Sequence, residues 1–103
     1  MGWKFQTDRP IYAQLVEQVK QKIITGVYPP GSKMPSVREL AAEASVNPNT
    51  MQRAFSQLEQ EGLLYTQRTS GRFVTEDQGR ITAMKEELAR ELIRSFLENM
   101  ERR

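Results

Sequence analysis

Residues 36–62 read Ser36-Val37-Arg38-Glu39-Leu40-Ala41-Ala42-Glu43-Ala44-Ser45-Val46-Asn47-Pro48-Asn49-Thr50-Met51-Gln52-Arg53-Ala54-Phe55-Ser56-Gln57-Leu58-Glu59-Gln60-Glu61-Gly62. Ser36 and Glu39 make the pattern S-x-x-E, in which hydroxyl and carboxylate each satisfy the other residue's unpaired backbone amide at a helix start. Val37, Leu40, Ala41 and Ala44 give that helix one apolar side over two to three turns. The turn Ala44-Ser45-Val46 is short. Asn47 suits the cap of a second helix, and Pro48 suits its first position, where proline has no needed amide to lose. Met51, Ala54, Phe55 and Leu58 form the inner stripe of this helix, and Gly62 ends it. Two helices joined this tightly make a helix-turn-helix. With positions 51, 54, 55 and 58 turned to the core, positions 47, 49, 50, 52, 53 and 56 face away from it.

Upstream, Ile11, Leu15, Val19 and Ile23 recur every four residues, flanked by Tyr12, Val16 and Ile24, and predict another amphipathic helix. Asp8 is its expected cap, with Pro10 in its first turn. Gly26 ends it, and Tyr28-Pro29-Pro30-Gly31 prevents continuation; these residues and Pro35 read as loop punctuation. Downstream, Leu63-Leu64-Tyr65-Thr66 and Arg72-Phe73-Val74-Thr75 flank the turn Arg68-Thr69-Ser70-Gly71, the pattern of a β-hairpin. A hairpin directly after the second helix is the wing of a winged helix.

A last helix is expected from about Asp77 to Glu101, roughly 35 Å long at ~1.5 Å per residue. Its stripe is Ile81, Met84, Leu88, Leu92, Phe96 and Met100, widened by Ala89, Ile93 and Leu97. Glu86 with Arg90, Arg94 with Glu98, and Glu98 with Arg102 are opposite-sign pairs four apart. The expected fold is therefore mainly α with a small β-hairpin. Residues 1–75 form a winged helix-turn-helix, and residues 76–103 a helical dimerisation tail.

At 103 residues, the length suits one domain. The chain has neither cysteine nor histidine. That excludes disulfides, thiol nucleophiles, Cys- or His-ligated metal sites and histidine-dependent hydrolases. No paired-carboxylate or phosphate-cradle motif surrounds Glu39 or Glu43, so an enzyme is not expected, nor a cofactor or metal. Gln6 stands where a myristoylation signal after Gly2 wants Ser or Thr. No signal-peptide pattern and no run of ~20 apolar residues is present, so a cytoplasmic chain without membrane contact is expected.

The net charge is only +2, too little to name a partner. Its distribution says more. Residues 1–75 carry nine basic and six acidic residues, residues 76–103 six and seven, and no acid stands between Ser45 and Gln57. The outward face Asn47, Asn49, Thr50, Gln52, Arg53 and Ser56 is built from groups that bond base edges and phosphates: Asn and Gln suit adenine, Arg guanine, and Thr a thymine methyl. Arg38 reaches the same groove, helix N-termini attract phosphate, and Arg68 and Arg72 flank the wing turn. Tyr12 and Tyr65 read as packing residues rather than base stackers. The predicted partner is double-stranded DNA.

The run from Gly26 to Ala41, with its Met34-Pro35-Ser36-Val37-Arg38-Glu39-Leu40-Ala41, resembles the start of a GntR-family DNA-binding domain. The run from Val46 to Phe55, followed by Leu58-Glu59 and Glu61-Gly62, is similar to the YtrA-type subfamily; the match covers about residues 10–75. The resemblance implies a winged helix-turn-helix transcriptional regulator, usually a repressor, with a short helical tail and frequent ABC-transporter operon targets. It implies DNA contacts from Arg38, from Asn47, Asn49, Thr50 and Gln52, and from Gly71 at the wing tip; Ser36, read from the residues alone, is a helix cap first and a DNA phosphate contact second. Thr69 stands where many members have a wing glycine, and Pro48 where many outside the subfamily have arginine. The family tail often continues into another short helix past the equivalent of Met100-Glu101.

The alternating charges of the last helix argue against a membrane-surface role, which wants a mainly basic polar side. Self-pairing through Met84, Leu88, Leu92, Ile93, Phe96, Leu97 and Met100 gives a two-fold homodimer suited to a palindrome. Only 28 residues follow the wing, too few for an effector pocket of about 300 Å³ within one chain; no effector is named. The rival reading is a winged-helix protein–protein module without DNA binding, disfavoured by the acid-free outward face.

Overall fold

The structure, a computed structural model, describes residues 3–101. Met1-Gly2 and the Glu98–Arg102 pair thus lie outside the described residues. The order is α1 (Ile11–Ile24), α2 (Val37–Ala44), α3 (Pro48–Gln60), β1 (Leu64–Gln67), β2 (Gly71–Val74) and α4 (Gln78–Glu101). α3 lies at the centre and packs on both α1 and α2. Its Met51, Ala54, Phe55 and Leu58 are fully buried against Leu15 and Val19 of α1 and Leu40 of α2. A side chain such as Phe55 removed from water contributes about 1.5–3 kcal/mol, so this four-residue stripe does much to fix α3 in place.

Two of the three caps read from the sequence are present, those of α2 and α3. The Ser36 hydroxyl accepts the Glu39 amide at 3.1 Å, and the Glu39 carboxylate accepts the Ser36 amide at 3.0 Å. Asn47 Oδ1 accepts the Asn49 amide at 2.7 Å, with Pro48 at the first helical position. The tight turn between α2 and α3 passes through Ser45 in the left-handed region, φ 58°, while Val46 donates back to the Ala41 carbonyl at 3.0 Å.

β1 and β2 pair antiparallel, Leu64 opposite Val74 and Thr66 opposite Arg72. The sheet is wider than the expected hairpin. Met34 donates to the Arg72 carbonyl at 2.8 Å, Val74 donates to the Ser32 carbonyl at 2.9 Å, and Lys33 bridges Phe73. The segment among the prolines is thus a short third lane that ties the wing to the start of α2. The sequence marked it only as a loop, because prolines and glycine hide so brief a pairing.

α1 begins differently from expectation. Asp8 caps nothing: Pro10 occupies the cap position itself and no side chain bonds the first amides. Gln14, buried in the second turn, instead holds the incoming chain, donating to the Gln6 and Arg9 carbonyls and accepting the Gln6 amide at 2.7 Å. Gln18 bonds both the amide and the carbonyl of Lys4. Trp3 Nε1 then donates to Glu43 of α2 at 2.9 Å, and the Lys22 ammonium sits 4.8 Å from the Trp3 ring centre. This docked N-terminal arm links α1 to α2, a feature with no periodic signal in the sequence.

Met84 and Leu88 of α4 are buried on the chain's own domain, which removes them from the expected dimerisation set. Beyond them α4 projects, and Leu92, Ile93, Phe96, Leu97 and Met100 are 52–64% exposed. Neither Glu86–Arg90 nor Arg94–Glu98 closes into an ion pair among the described residues. Their solvation by water costs less than ordering two long side chains.

Candidate nucleic-acid interface

The N-terminal turn of α2, the outward face of α3 and the wing enclose a groove of about 680 Å³. It is lined by Ser36, Arg38, Gln52, Arg68, Gly71 and Arg72 together with Lys33, Glu39, Thr66 and Gln67. Six residues singled out in the sequence therefore meet at one surface, although they come from three elements. Four cations face the groove against one acid, Glu39, whose carboxylate is committed to the Ser36 amide. That hydrogen bond holds the Glu39 carboxyl below its usual range. Lys33 was missed by sequence reasoning, since only the third lane of the sheet brings it to the wing.

Each side chain offers defined groups. Arg38 is exposed and makes no bond to protein among the described residues, leaving its five donors free. The Ser36 hydroxyl oxygen is occupied by Glu39, but its proton remains free to donate. Asn47 spends its carbonyl oxygen on the cap and keeps its two amide protons. Gln52 Nε2 bonds Ser56 Oγ at 3.2 Å, an exchangeable surface bond. In the first turn of α3, Asn49 is exposed and Thr50 half-buried.

Two of the expected contacts, Arg53 and Arg72, are engaged with other side chains of the protein. Arg53 lies over the Tyr12 ring, 3.6 Å from its centre, and so is turned toward α1. Arg72 is half-buried, 5.3 Å from the Phe55 ring centre and 3.4 Å from the Glu59 carboxylate. The acid-free window in the sequence stopped two residues short of Glu59, which the helix carries to the root of the wing. Gly71, at φ 105°, adopts a backbone conformation that side chains resist, and a Cβ there would press on Lys33 Cε at 3.2 Å.

At the other end, α4 stands off from α1 and leaves a polar cleft of about 620 Å³ lined by Gln6, Asp8, Arg9, Glu17, Leu88 and Glu91 among others. The angle of α4 makes this cleft, which is open to solvent. Among the described residues no helix is long and apolar enough to cross a membrane.

A helix-turn-helix and a wing framing one basic groove define a DNA-binding transcriptional regulator of the winged-helix class. The chain belongs to the GntR family: the model of bacterial regulatory proteins of the gntR family matches residues 11–74. It is 38% identical over 94 residues to the HTH-type transcriptional repressor YtrA of Bacillus subtilis, covering 85% of this chain and 72% of that one. A GntR family transcriptional regulator from Listeria monocytogenes superposes with a TM-score of 0.86 at 41% identity, over 95% of this chain and 86% of that one. The DNA-binding domain of AraR, solved in complex with operator ORX1, superposes with a TM-score of 0.64 at 32% identity, over 70% of this chain and 93% of that one. The family and these relatives are regulators of transcription.

Proposed function

We propose that this chain represses transcription as a homodimer on a palindromic operator, with α3 in the major groove and the wing on phosphate or in the minor groove. The gathering of Arg38, Gln52, Arg68 and Gly71 around a single basic groove carries the reading. In it, Arg38, Asn49, Thr50 and Gln52 read bases, while Ser36, Asn47, Arg68 and Gly71 meet the backbone or minor groove. Arg53 and Arg72 support the surface from beneath. Residues 1–75 are the reading unit and residues 76–103 the pairing tail. The AraR operator complex supports the docking mode, and the exposed row from Leu92 to Met100 supports self-pairing. Two recognition helices then sit about one helical turn of DNA, ~34 Å, or a multiple apart. The resemblance to the YtrA-type subfamily adds an ABC-transporter operon as the target class.

A gel-shift titration of Arg38→Ala on a duplex enriched by the unaltered protein tests the site. Loss of affinity together with relaxed sequence preference supports the assignment; unchanged affinity and preference overturn it.

A further inference from the structure

Arg72 is a cation beside a groove suited to DNA, yet its side chain is spent elsewhere. It stands opposite Thr66 in the wing and reaches back to α3. Its guanidinium rests over Phe55, a fully buried core ring, and its Nε faces Glu59 at 3.4 Å. That Nε is inaccessible to water and has no hydrogen-bond partner, so the Glu59 charge is what compensates it. Glu59 is the only acid in α3, and it also accepts a hydrogen bond from the Thr66 hydroxyl on β1. The Arg72 carbonyl is fixed as well, by the Met34 amide of the third lane. To reach DNA, Arg72 must uncover Phe55 and leave Glu59 unpaired beside it, and both movements are unfavourable.

We infer that Glu59 and Arg72 are positioning residues that latch the wing to the last turn of the recognition helix and so set where Arg68 and Gly71 meet DNA. The latch explains how a short, two-stranded wing keeps a defined angle. β1 grips Glu59 through Thr66, and β2 grips it through Arg72, so both strands are tied to one side chain of α3. The inference rests on the reading that the wing touches DNA.

The test uses the full chain and a duplex enriched from a random pool by the unaltered protein. Its variants are Glu59→Gln, Arg72→Gln, Arg72→Lys and the double Glu59→Gln/Arg72→Gln. Hydroxyl-radical protection reports the wing's flanking contact, and methylation protection of purines reports α3. Each Gln variant is expected to weaken binding roughly threefold to fivefold, the size of a partly exposed ion pair. The double variant should cost no more than the worse single one, because the two act as a unit. Flanking protection should fall while purine protection persists, and Arg72→Lys should recover part of the loss. Tighter or unchanged binding by Glu59→Gln overturns the latch, since Glu59 would then only restrain a DNA ligand. Equal loss of both protections overturns it in favour of general unfolding. Absence of flanking protection by the unaltered protein overturns the wing contact itself, and the latch with it.

Discussion

The Arg53 guanidinium lies 3.6 Å from the centre of the Tyr12 ring, so a cation on the recognition helix is held by the first helix. The pair ties α3 to α1 outside the apolar core. Tyr12→Ala should cost about 0.5–1 kcal/mol beyond the ring's own packing, and Tyr12→Phe almost nothing, as the ring face is what Arg53 meets. Urea denaturation of both variants, each also with Arg53→Ala, checks the coupling.

Gln52 and Arg68 line the same groove but carry different duties. Gln52→Ala should alter base preference by about 1–3 kcal/mol at one position. Arg68→Ala should weaken binding evenly across sequences and lower the salt slope by about one. Competition binding over a series of salt concentrations separates the two.

The start of α2 should be sensitive to acid. Ser36→Ala removes the cap acceptor and should cost about 1 kcal/mol at neutral pH. Glu39 has its folded pKa lowered, chiefly by the Ser36 amide it accepts. A lowered folded pKa gives stability that is complete above the unfolded value of about 4.3 and fades as pH falls through the folded value. Amide protection factors at the first turn of α2, each taken against the intrinsic exchange rate at that pH, should therefore fall as Glu39 becomes protonated, and Glu39→Gln should remove that pH dependence.

Gly62 links the end of α3 to β1, and the Arg80 side chain from the start of α4 lies against it. Its φ is 77°, and a Cβ there would lie 2.3 Å from Arg80 Nη1, which donates to the Glu61 carbonyl at 3.3 Å. Gly62→Ala should cost more than about 1 kcal/mol from the backbone alone. Arg80→Ala in that background should return the steric part and leave the backbone part. Thermal unfolding of the two variants shows the split.

The tail should divide at Leu88. Met84→Ala, in the core, should destabilise the fold by about 2–5 kcal/mol. Phe96→Glu with Leu97→Glu, on exposed positions, should leave the fold intact and convert a dimer to monomers in sedimentation. A monomeric unaltered protein would contradict self-pairing.

Much of this was legible because local rules decided it. The S-x-x-E box, the Asn47-Pro48 start and the stripe Met51, Ala54, Phe55 and Leu58 each state their own geometry. Three features were not legible. The arm from Trp3 to Arg9 is held by glutamine side chains of α1, which have no periodic signature. The lane at Ser32–Met34 forms through only a few backbone bonds. The inward turn of Arg72 depends on Glu59, thirteen residues away and on another element. The charge of Arg72 and its place in the wing are local properties; only packing determines which way it points.

Selection of bound DNA from a random pool tests the central claim most directly. The account predicts enrichment of a palindrome whose half-sites lie about one helical turn, or a multiple of it, apart. It also predicts that the preference at one or more positions is lost with Arg38→Ala. Recovery of no enriched sequence at low salt, where phosphate contacts are strongest, would contradict it.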